Sequence, residues 1–216
     1  MPIFENPFLV KTCSLASIAT GAKANSLLEL HDKLVSADEG CIYYHFWGRH
    51  MTPQFGHVEY HNDFARWAHD ALDDHVLAER LNIIDPTEFT DLESIRQAVL
   101  ETIEESLEEE VLPWIKKEDR FHFIRSTIIV FESEIQVNNP EELALTLPKL
   151  PPSSIFYHFI DARRRTVDRT DDFSVWLKTF GSKYDQLIQQ IQGIDPYFLS
   201  LTQLRDKLTE LLKDKQ

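Results

Sequence analysis

Two histidines in nearly identical surroundings are the first residues of this sequence that could carry chemistry. The segment IYYHF at residues 42–46 returns as IFYHF at residues 155–159, which places His45 and His158 at matching positions. The ordinary pKa of imidazole lies close to physiological pH, so a site that held both histidines could bind a ligand or transfer protons. The candidate ligand-binding residues of the two segments are Tyr44, His45, Tyr157 and His158. The alternative is that each histidine is a hydrogen-bonded core residue, and its presence in both copies favours that role.

The loop after the first segment carries side chains of the types that bind divalent metal ions. It is longer than its counterpart in the second copy, and its candidate ligands are His50, His57, Glu59 and His61. Imidazole and carboxylate groups are ligands of zinc and related ions. The spacing matches no established metal motif, and a polar loop in which Asp63 caps the next helix explains the segment equally well. A metal-dependent enzyme or a metal-binding protein is therefore left open, and no particular cofactor is indicated.

A run of arginines stands where the first copy has its histidines. Arg163, Arg164 and Arg165 form a local basic cluster in an acidic chain. Guanidinium groups bind phosphate and carboxylate groups through paired hydrogen bonds, so this cluster could hold a small anion such as phosphate or a sugar phosphate. The alternative is that the arginines pair with the protein's own carboxylates, among them Asp168, Asp171 and Asp172.

The sequence contains no recognisable nucleophile with its base. There is no Gly-x-Ser-x-Gly motif and no phosphate-binding glycine loop, and the chain has only six glycines. Cys13 and Cys41 lack the spacing of a metal or redox pair, so we interpret them as small buried residues in a reducing compartment. These observations favour a protein without catalytic activity.

The matching segments belong to an internal repeat that extends over most of the chain. The pattern Asp-Phe-x-x-Trp occurs at residues 63–67 and 172–176, and Ile-Asp-Pro occurs at residues 84–86 and 194–196. We predict one domain, residues 1–216, built of a first repeat at 8–107 and a second repeat at 121–212.

Each repeat is predicted to open with a strand. Residues 121–137 alternate β-branched and aromatic residues at period two, and by analogy the first strand covers residues 8–20 and ends at Thr20-Gly21. A helix follows in both repeats. The patterns Ser26-x-x-Glu29 and Asn139-Pro140-Glu141-Glu142 are typical of helix starts.

Further helices are predicted from the later segments. The aromatic segments at 42–46 and 155–159 are interpreted as helical, with Ser154 as an N-cap in the second copy. Trp67 and Trp176 lie on the apolar faces of amphipathic helices. The predicted fold class is mainly α (α+β), with the two repeats packed about a pseudo-twofold axis as an intramolecular dimer.

Composition limits the class of partner. The chain has 36 acidic and 22 basic residues, giving a net charge of −14, which argues against a general nucleic-acid binder. No apolar run approaches the roughly 20 residues that span a bilayer, and the first residues do not resemble a signal peptide. We therefore expect a cytoplasmic protein that associates with neither nucleic acid nor membrane.

Several of these segments together resemble a known family. They are the N-terminal strand, residues 42–46, the Asn62–Trp67 pattern, residues 78–86, and residues 155–165 followed by Asp172-Phe173. They are similar to an uncharacterised bacterial family catalogued as a domain of unknown function, over nearly the whole chain. The resemblance implies one intact duplicated domain, and it supplies no activity, cofactor or catalytic residue.

The leading hypothesis from the sequence is a non-catalytic cytoplasmic interaction or regulatory protein. Its partner would be an unidentified protein or a small anionic ligand, and a homo-oligomer is left open. The metal-dependent protein and the small-anion binding module are the alternatives.

Overall fold

The chain folds into helices and two long strands that are divided between two compact units. The computed structural model describes residues 6–51, 59–109, 119–166 and 168–213. We call residues 15–127 the central unit, and residues 1–14 with 128–216 the terminal unit. The fold is mostly helical with a two-stranded antiparallel sheet, which confirms the predicted class at that level.

The elements follow one another in a similar order in the two halves of the chain. The first half has β1 (Phe8–Ala24), α1 (Leu27–Leu34), α2 (Glu39–Trp47), α3 (Asp63–Leu72), α4 (His75–Asn82) and α5 (Leu92–Glu109). The second half has β2 (Phe121–Val137), α6 (Pro140–Thr146), α7 (Pro152–Ile155), α8 (Ala162–Arg165), α9 (Asp172–Lys178), α10 (Asp185–Gln192) and α11 (Leu201–Lys213). Short 3₁₀ turns cover Gly48–Met51, Leu147–Lys149 and Ser182–Tyr184, and a π-helical segment, Phe156–Asp161, connects α7 to α8.

Each strand is shared between the two units. Residues 8–14 of β1 belong to the terminal unit, although they begin the first sequence repeat. Residues 121–127 of β2 belong to the central unit, although they begin the second repeat. The start of each strand therefore packs with helices of the other repeat, and the compact units do not follow the repeat boundaries.

The first strand is longer than the sequence predicted. The Thr20-Gly21 pair was expected to end it, but β1 continues to Ala24. Gly21 has a φ of +83°, which glycine adopts without steric cost, so the pair bends the strand without ending it. The Thr20 hydroxyl donates a hydrogen bond of 2.8 Å to the Phe123 carbonyl of β2, which fixes this stretch to its partner strand.

The structure confirms the predicted N-termini of the two helices that follow the strands. Ser26 Oγ accepts the N–H of Glu29 at 3.2 Å, and Glu29 Oε2 accepts the N–H of Asn25 at 3.0 Å. In the second half, Asn139 Oδ1 accepts the N–H of Glu142 at 2.8 Å. These contacts satisfy backbone donors that a helix start leaves without partners.

The aromatic segments are helical as expected, but Ser154 is not an N-cap. Helix α7 begins two residues earlier, at Pro152, because the fixed φ of proline suits the first helical position. Ser154 consequently lies inside the helix and is buried. In the central unit the Asp38 side chain caps α2 by accepting the N–H of Gly40 at 2.8 Å.

Each unit buries an apolar core around these helices. Among the largest fully buried side chains, Ile42, Phe46 and Phe64 lie in the central unit, and Phe156, Phe159 and Phe173 in the terminal unit. These cores position the two aromatic histidine segments against the strand starts. The packing of the repeats about a pseudo-twofold axis stays a prediction.

Candidate ligand-binding site

The His45 side chain links two helices and a strand within the central unit. It is 2% exposed, and its Nδ1 lies 2.9 Å from Asp63 Oδ2 at the start of α3. Its Nε2 accepts the backbone N–H of Ile124 in β2 at 3.2 Å. A backbone N–H can only donate, so Nε2 must be the acceptor and Nδ1 must carry the proton that is donated to Asp63. Both ring nitrogens are thus occupied.

The same arrangement occurs within the terminal unit. His158 is 3% exposed, its Nδ1 lies 2.8 Å from Asp172 Oδ2, and its Nε2 accepts the N–H of Lys11 in β1 at 2.8 Å. Neither His45 nor His158 can accept a proton at Nε2 unless it releases the strand. The contacts therefore favour the structural role over proton transfer for both histidines.

In each unit, contacts of a tryptophan and a phenylalanine also join the start of the strand to the helices. In the central unit, Phe121 packs against the rings of His45, Phe64 and Trp67, and the Trp67 indole N–H donates to the Asp119 carbonyl at 2.7 Å.

In the terminal unit, Phe8 packs against His158, Phe173 and Trp176 in the same manner. The Trp176 indole N–H donates to the Asn6 carbonyl at 3.1 Å. The paired aromatic residues of the sequence are therefore the contacts that attach strand to helix.

Each of these clusters forms the inner wall of a cavity. The central cavity has a volume of about 640 Å³ and is lined at its base by Tyr44, His45, Asp63, Trp67 and Phe121. The terminal cavity has a volume of about 370 Å³ and is lined by the residues at the matching sequence positions, Tyr157, His158, Asp172, Trp176 and Phe8. Most of the other lining positions also match between the two cavities.

The matching positions differ in charge. The central cavity is additionally lined by Arg49, Arg66, Asp70, Asp119, Arg120 and His122. At the matching positions of the other copy the chain has, in that order, Ala162, Val175, Thr179, Asn6, Pro7 and Leu9. These charged and imidazole side chains line the central cavity alone, whereas the terminal cavity has Lys11 and Arg165 in its lining.

The arginines of the central cavity lie close to other charged side chains. Arg66 lies 3.2 Å from Asp63 Oδ1, and the same carboxylate accepts a hydrogen bond from His45 Nδ1 at Oδ2. Burial lowers the pKa of Arg49, and the neighbouring positive charge of Arg66 lowers it further. Arg120 Nε is buried and makes no hydrogen bond with the described residues. A bound anion would offset the repulsion between neighbouring positive charges.

The three arginines that the sequence singled out have partners within the protein. Arg165 stacks on the Tyr157 ring at 4.1 Å and donates hydrogen bonds to Asp161 at 2.7 Å and Asp172 at 3.1 Å. Arg164 donates to Asp161 at 3.1 Å. Arg163 lies 4.4 Å from the centre of the Phe159 ring and donates to the Ile194 carbonyl at 3.2 Å.

This network favours the interpretation that the arginines pair with the protein's own groups. Asp172 was among the expected carboxylates, whereas Asp161 was not. The Asp161 side chain is fully buried, so the two guanidinium groups supply the charge that it needs. Asp171 caps α9, and its burial raises the pKa of its carboxyl group.

The predicted metal ligands are only partly within the described residues. His57 lies outside them. The His50 ring packs against Trp47 with ring centres 5.2 Å apart, and the His61 backbone N–H donates to Asn82 Oδ1 at 2.8 Å. In the part of the chain that the structure describes, no group of three or more histidine, cysteine or acidic side chains could hold a metal ion. The metal site at His50, His57, Glu59 and His61 stays a prediction.

Both cysteines are buried and unpaired, as the sequence suggested. Burial raises the pKa of the Cys13 thiol to about 12, and the neighbouring Asp161 adds to the effect. Burial likewise raises the pKa of Cys41. A thiol is nucleophilic as its thiolate, so these cysteines are poorly suited to catalysis at neutral pH.

The charged lining of the central cavity was missed by the sequence reasoning, although a signal for it was present. Arg120 and His122 flank Phe121, which begins the second predicted repeat as Phe8 begins the first. Arg66 lies between the repeated Asp63 and Trp67. Comparing the charges of the residues beside the repeated positions would have found this set.

Comparison with known proteins defines the class to which this fold and site belong. The chain belongs to a family of unknown function, DUF5752, whose model matches residues 5–213. It is similar to the protein in a solved structure described as the structure of OrfY from Thermoproteus tenax. The identity is 28% and the TM-score 0.83, over 98% of this chain and 96% of that chain. No curated protein matches the chain. Within the described residues, no helix combines the length and the apolar character that crossing a bilayer requires.

Proposed function

We propose that this protein is a non-catalytic regulatory protein that binds a small anion in its central cavity. The observation that carries the proposal is the difference between the two cavities. Both cavities are lined by a histidine and by aromatic side chains at matching positions. Arg49, Arg66 and Arg120 line only the central one. Residues shared by both cavities maintain the fold, whereas residues found in one are available for a function.

The chemistry of these side chains suits an oxyanion. A guanidinium group donates several hydrogen bonds in a fixed plane and binds phosphate or carboxylate oxygens in pairs. Arg120 has a buried Nε that makes no hydrogen bond with the described residues, and its guanidinium group would donate to an anion in the cavity. Asp63 neutralises Arg66 in part, and a bound anion would supply the remaining negative charge.

The proposal of a non-catalytic role is supported by the histidines and the cysteines. Both nitrogens of His45 and of His158 are hydrogen-bonded, and both thiols are buried with raised pKa values. A response to the ligand would then be passed to an unidentified protein partner. A cytoplasmic location is part of the same proposal.

We also propose that the chain arose by duplication of one strand-and-helices repeat. The support is that matching residues make matching contacts in the two units, from His45 and His158 to Trp67 and Trp176. After duplication, only the cavity of the central unit would have gained its arginines.

The anion site is tested by thermal unfolding in the presence of inorganic phosphate. A ligand that binds the folded state raises Tm, by an amount that grows with its concentration above Kd. We expect phosphate to raise the Tm of the wild-type protein and not that of Arg120→Gln, which loses the charge and the buried Nε donor.

The matched control is Lys207→Gln, which removes one positive charge at an exposed position of α11. It should keep the wild-type response to phosphate. Sodium chloride at equal ionic strength separates binding from the general stabilisation that phosphate gives to folded proteins. An equal rise in Tm for all three proteins, or no rise in any, contradicts the anion site.

A further inference from the structure

The central cavity is larger than an inorganic anion requires, and its lining includes three carboxylates that such an anion would not need, those of Asp63, Asp70 and Asp119. Its volume of about 640 Å³ falls within the range of roughly 300–1,000 Å³ typical of sites for small organic ligands. A free phosphate ion would occupy only part of it. The remaining lining therefore carries information about the rest of the ligand.

Asp70 is the informative residue. It lines the central cavity, and the matching position of the second copy holds Thr179, so its charge belongs to the same divergent set as the arginines. Its side chain is 63% exposed, and Oδ1 lies 2.8 Å from His69 Nδ1. Oδ2 makes no hydrogen bond with the described residues, so this acceptor is open to a ligand.

A carboxylate beside an anion site repels a simple anion and attracts a hydrogen-bond donor. Asp63 is less available for such a contact, because Oδ2 already accepts from His45 and Oδ1 from Arg66. Asp70 thus adds a second kind of recognition to the cavity. The Asp70 carboxylate accepts a hydrogen bond from a donor group on the part of the ligand that the arginines do not contact.

Building on the proposed anion site, we propose that the ligand is a phosphate ester that also carries hydroxyl groups. The arginines hold the phosphate group, and Asp70 accepts a hydrogen bond from a hydroxyl group. Hydrogen bonds to charged acceptors are stronger than those to neutral ones, so this contact gives selectivity over esters that lack hydroxyl groups.

The test measures by calorimetry the affinities of four phosphate compounds for the full-length protein. They are inorganic phosphate, n-butyl phosphate, glucose 6-phosphate and O-phosphoethanolamine. The wild-type protein should bind glucose 6-phosphate about tenfold more tightly than n-butyl phosphate, which corresponds to one charged hydrogen bond.

Asp70→Asn should then affect the binding of the two esters differently. It should lower the affinity for glucose 6-phosphate by about five- to tenfold, because an amide oxygen accepts a hydrogen bond less strongly than a carboxylate does. It should leave the affinity for n-butyl phosphate unchanged or slightly higher, because a repulsive charge is gone. Asp73→Asn makes the same change of charge at the end of α3, outside the cavity lining, and should alter neither affinity.

The outcomes distinguish a failure of the hydroxyl selectivity from a failure of the proposed anion site. If both esters bind equally and both depend on Arg120, the anion site stands and the hydroxyl selectivity is overturned. If O-phosphoethanolamine binds most tightly and depends on Asp70, the donor is an ammonium group and the inference is wrong. Equal effects of Asp70→Asn and Asp73→Asn also overturn it. If no ester binds in an Arg120-dependent manner, the proposed function itself fails.

Discussion

At the scale of single residues, the two paired histidines act as connectors between helix and strand. Each imidazole donates to an aspartate at the start of a helix and accepts a backbone N–H from a strand. A histidine beside an aspartate resembles part of a catalytic group, but here the second nitrogen is taken by the main chain. The repeat helped to distinguish the two roles, because matching residues in both copies meet the same packing demands.

Replacing His158 by alanine should destabilise the protein by about 3 kcal/mol. The substitution leaves a void, an unpaired N–H at Lys11 and an Asp172 oxygen that retains only the hydrogen bond from Arg165. Urea unfolding measures the loss as a lower transition midpoint. His75→Ala, at a side chain that is 64% exposed, is the control and should change the free energy of unfolding by less than about 0.5 kcal/mol. A loss below about 1 kcal/mol for His158→Ala would contradict the connecting role.

At the scale of elements, the helix starts were predictable from the sequence and the cavity lining was not. Ser26 with Glu29 and Asn139 with Glu142 lie within one turn of each other, so their hydrogen bonds depend only on local geometry. Arg120 immediately precedes β2, and it lines the cavity together with residues of α2 and α3 that lie far away in sequence. Local patterns cannot report such a contact. Only the comparison of repeats indicates it.

The extension of β1 and the early start of α7 show a different limit. Gly21 was expected to end β1, because glycine is common in turns as well as at positions of positive φ. Ser154 was expected as an N-cap, but Pro152 begins the helix first. In both cases a residue with two common roles was assigned the wrong one.

The helix-start glutamates predict how stability changes with pH. The N–H of Asn25 lowers the pKa of Glu29, and the N–H of Asn138 lowers that of Glu142. A carboxyl group with a lowered pKa in the folded state stabilises it fully above its unfolded pKa of about 4.3. That stability is lost as the pH falls through the lower pKa of the folded state.

Glu29→Gln should therefore show a smaller loss of stability than the wild-type protein as the pH falls from about 5 through the acidic range. Urea midpoints measured at a series of pH values test this. Glu210→Gln, at an exposed position in α11, should follow the wild-type curve. Parallel curves for Glu29→Gln and wild type would show that the helix-start contact contributes no pH dependence.

At the scale of the whole molecule, two similar units carry different charges around similar cavities. The start of each strand belongs to the unit that contains the helices of the other repeat, and it supplies one wall of that unit's cavity. For this reason Arg120 and His122 of the second repeat line a cavity whose base comes from the first. The chain has a net charge of −14, so its long-range field repels an anion, and binding must rest on the arginines nearby.

Crystallography with tungstate, a phosphate mimic, would show whether one cavity of the two binds an oxyanion. The anomalous signal of tungsten locates the anion without any assumption about the binding residues. We expect one strong peak per chain in the central cavity, within hydrogen-bonding distance of Arg66 or Arg120, and none in the terminal cavity. A peak of equal height in the terminal cavity, or an empty central cavity at a tungstate concentration that occupies other sites, would contradict the proposed anion site.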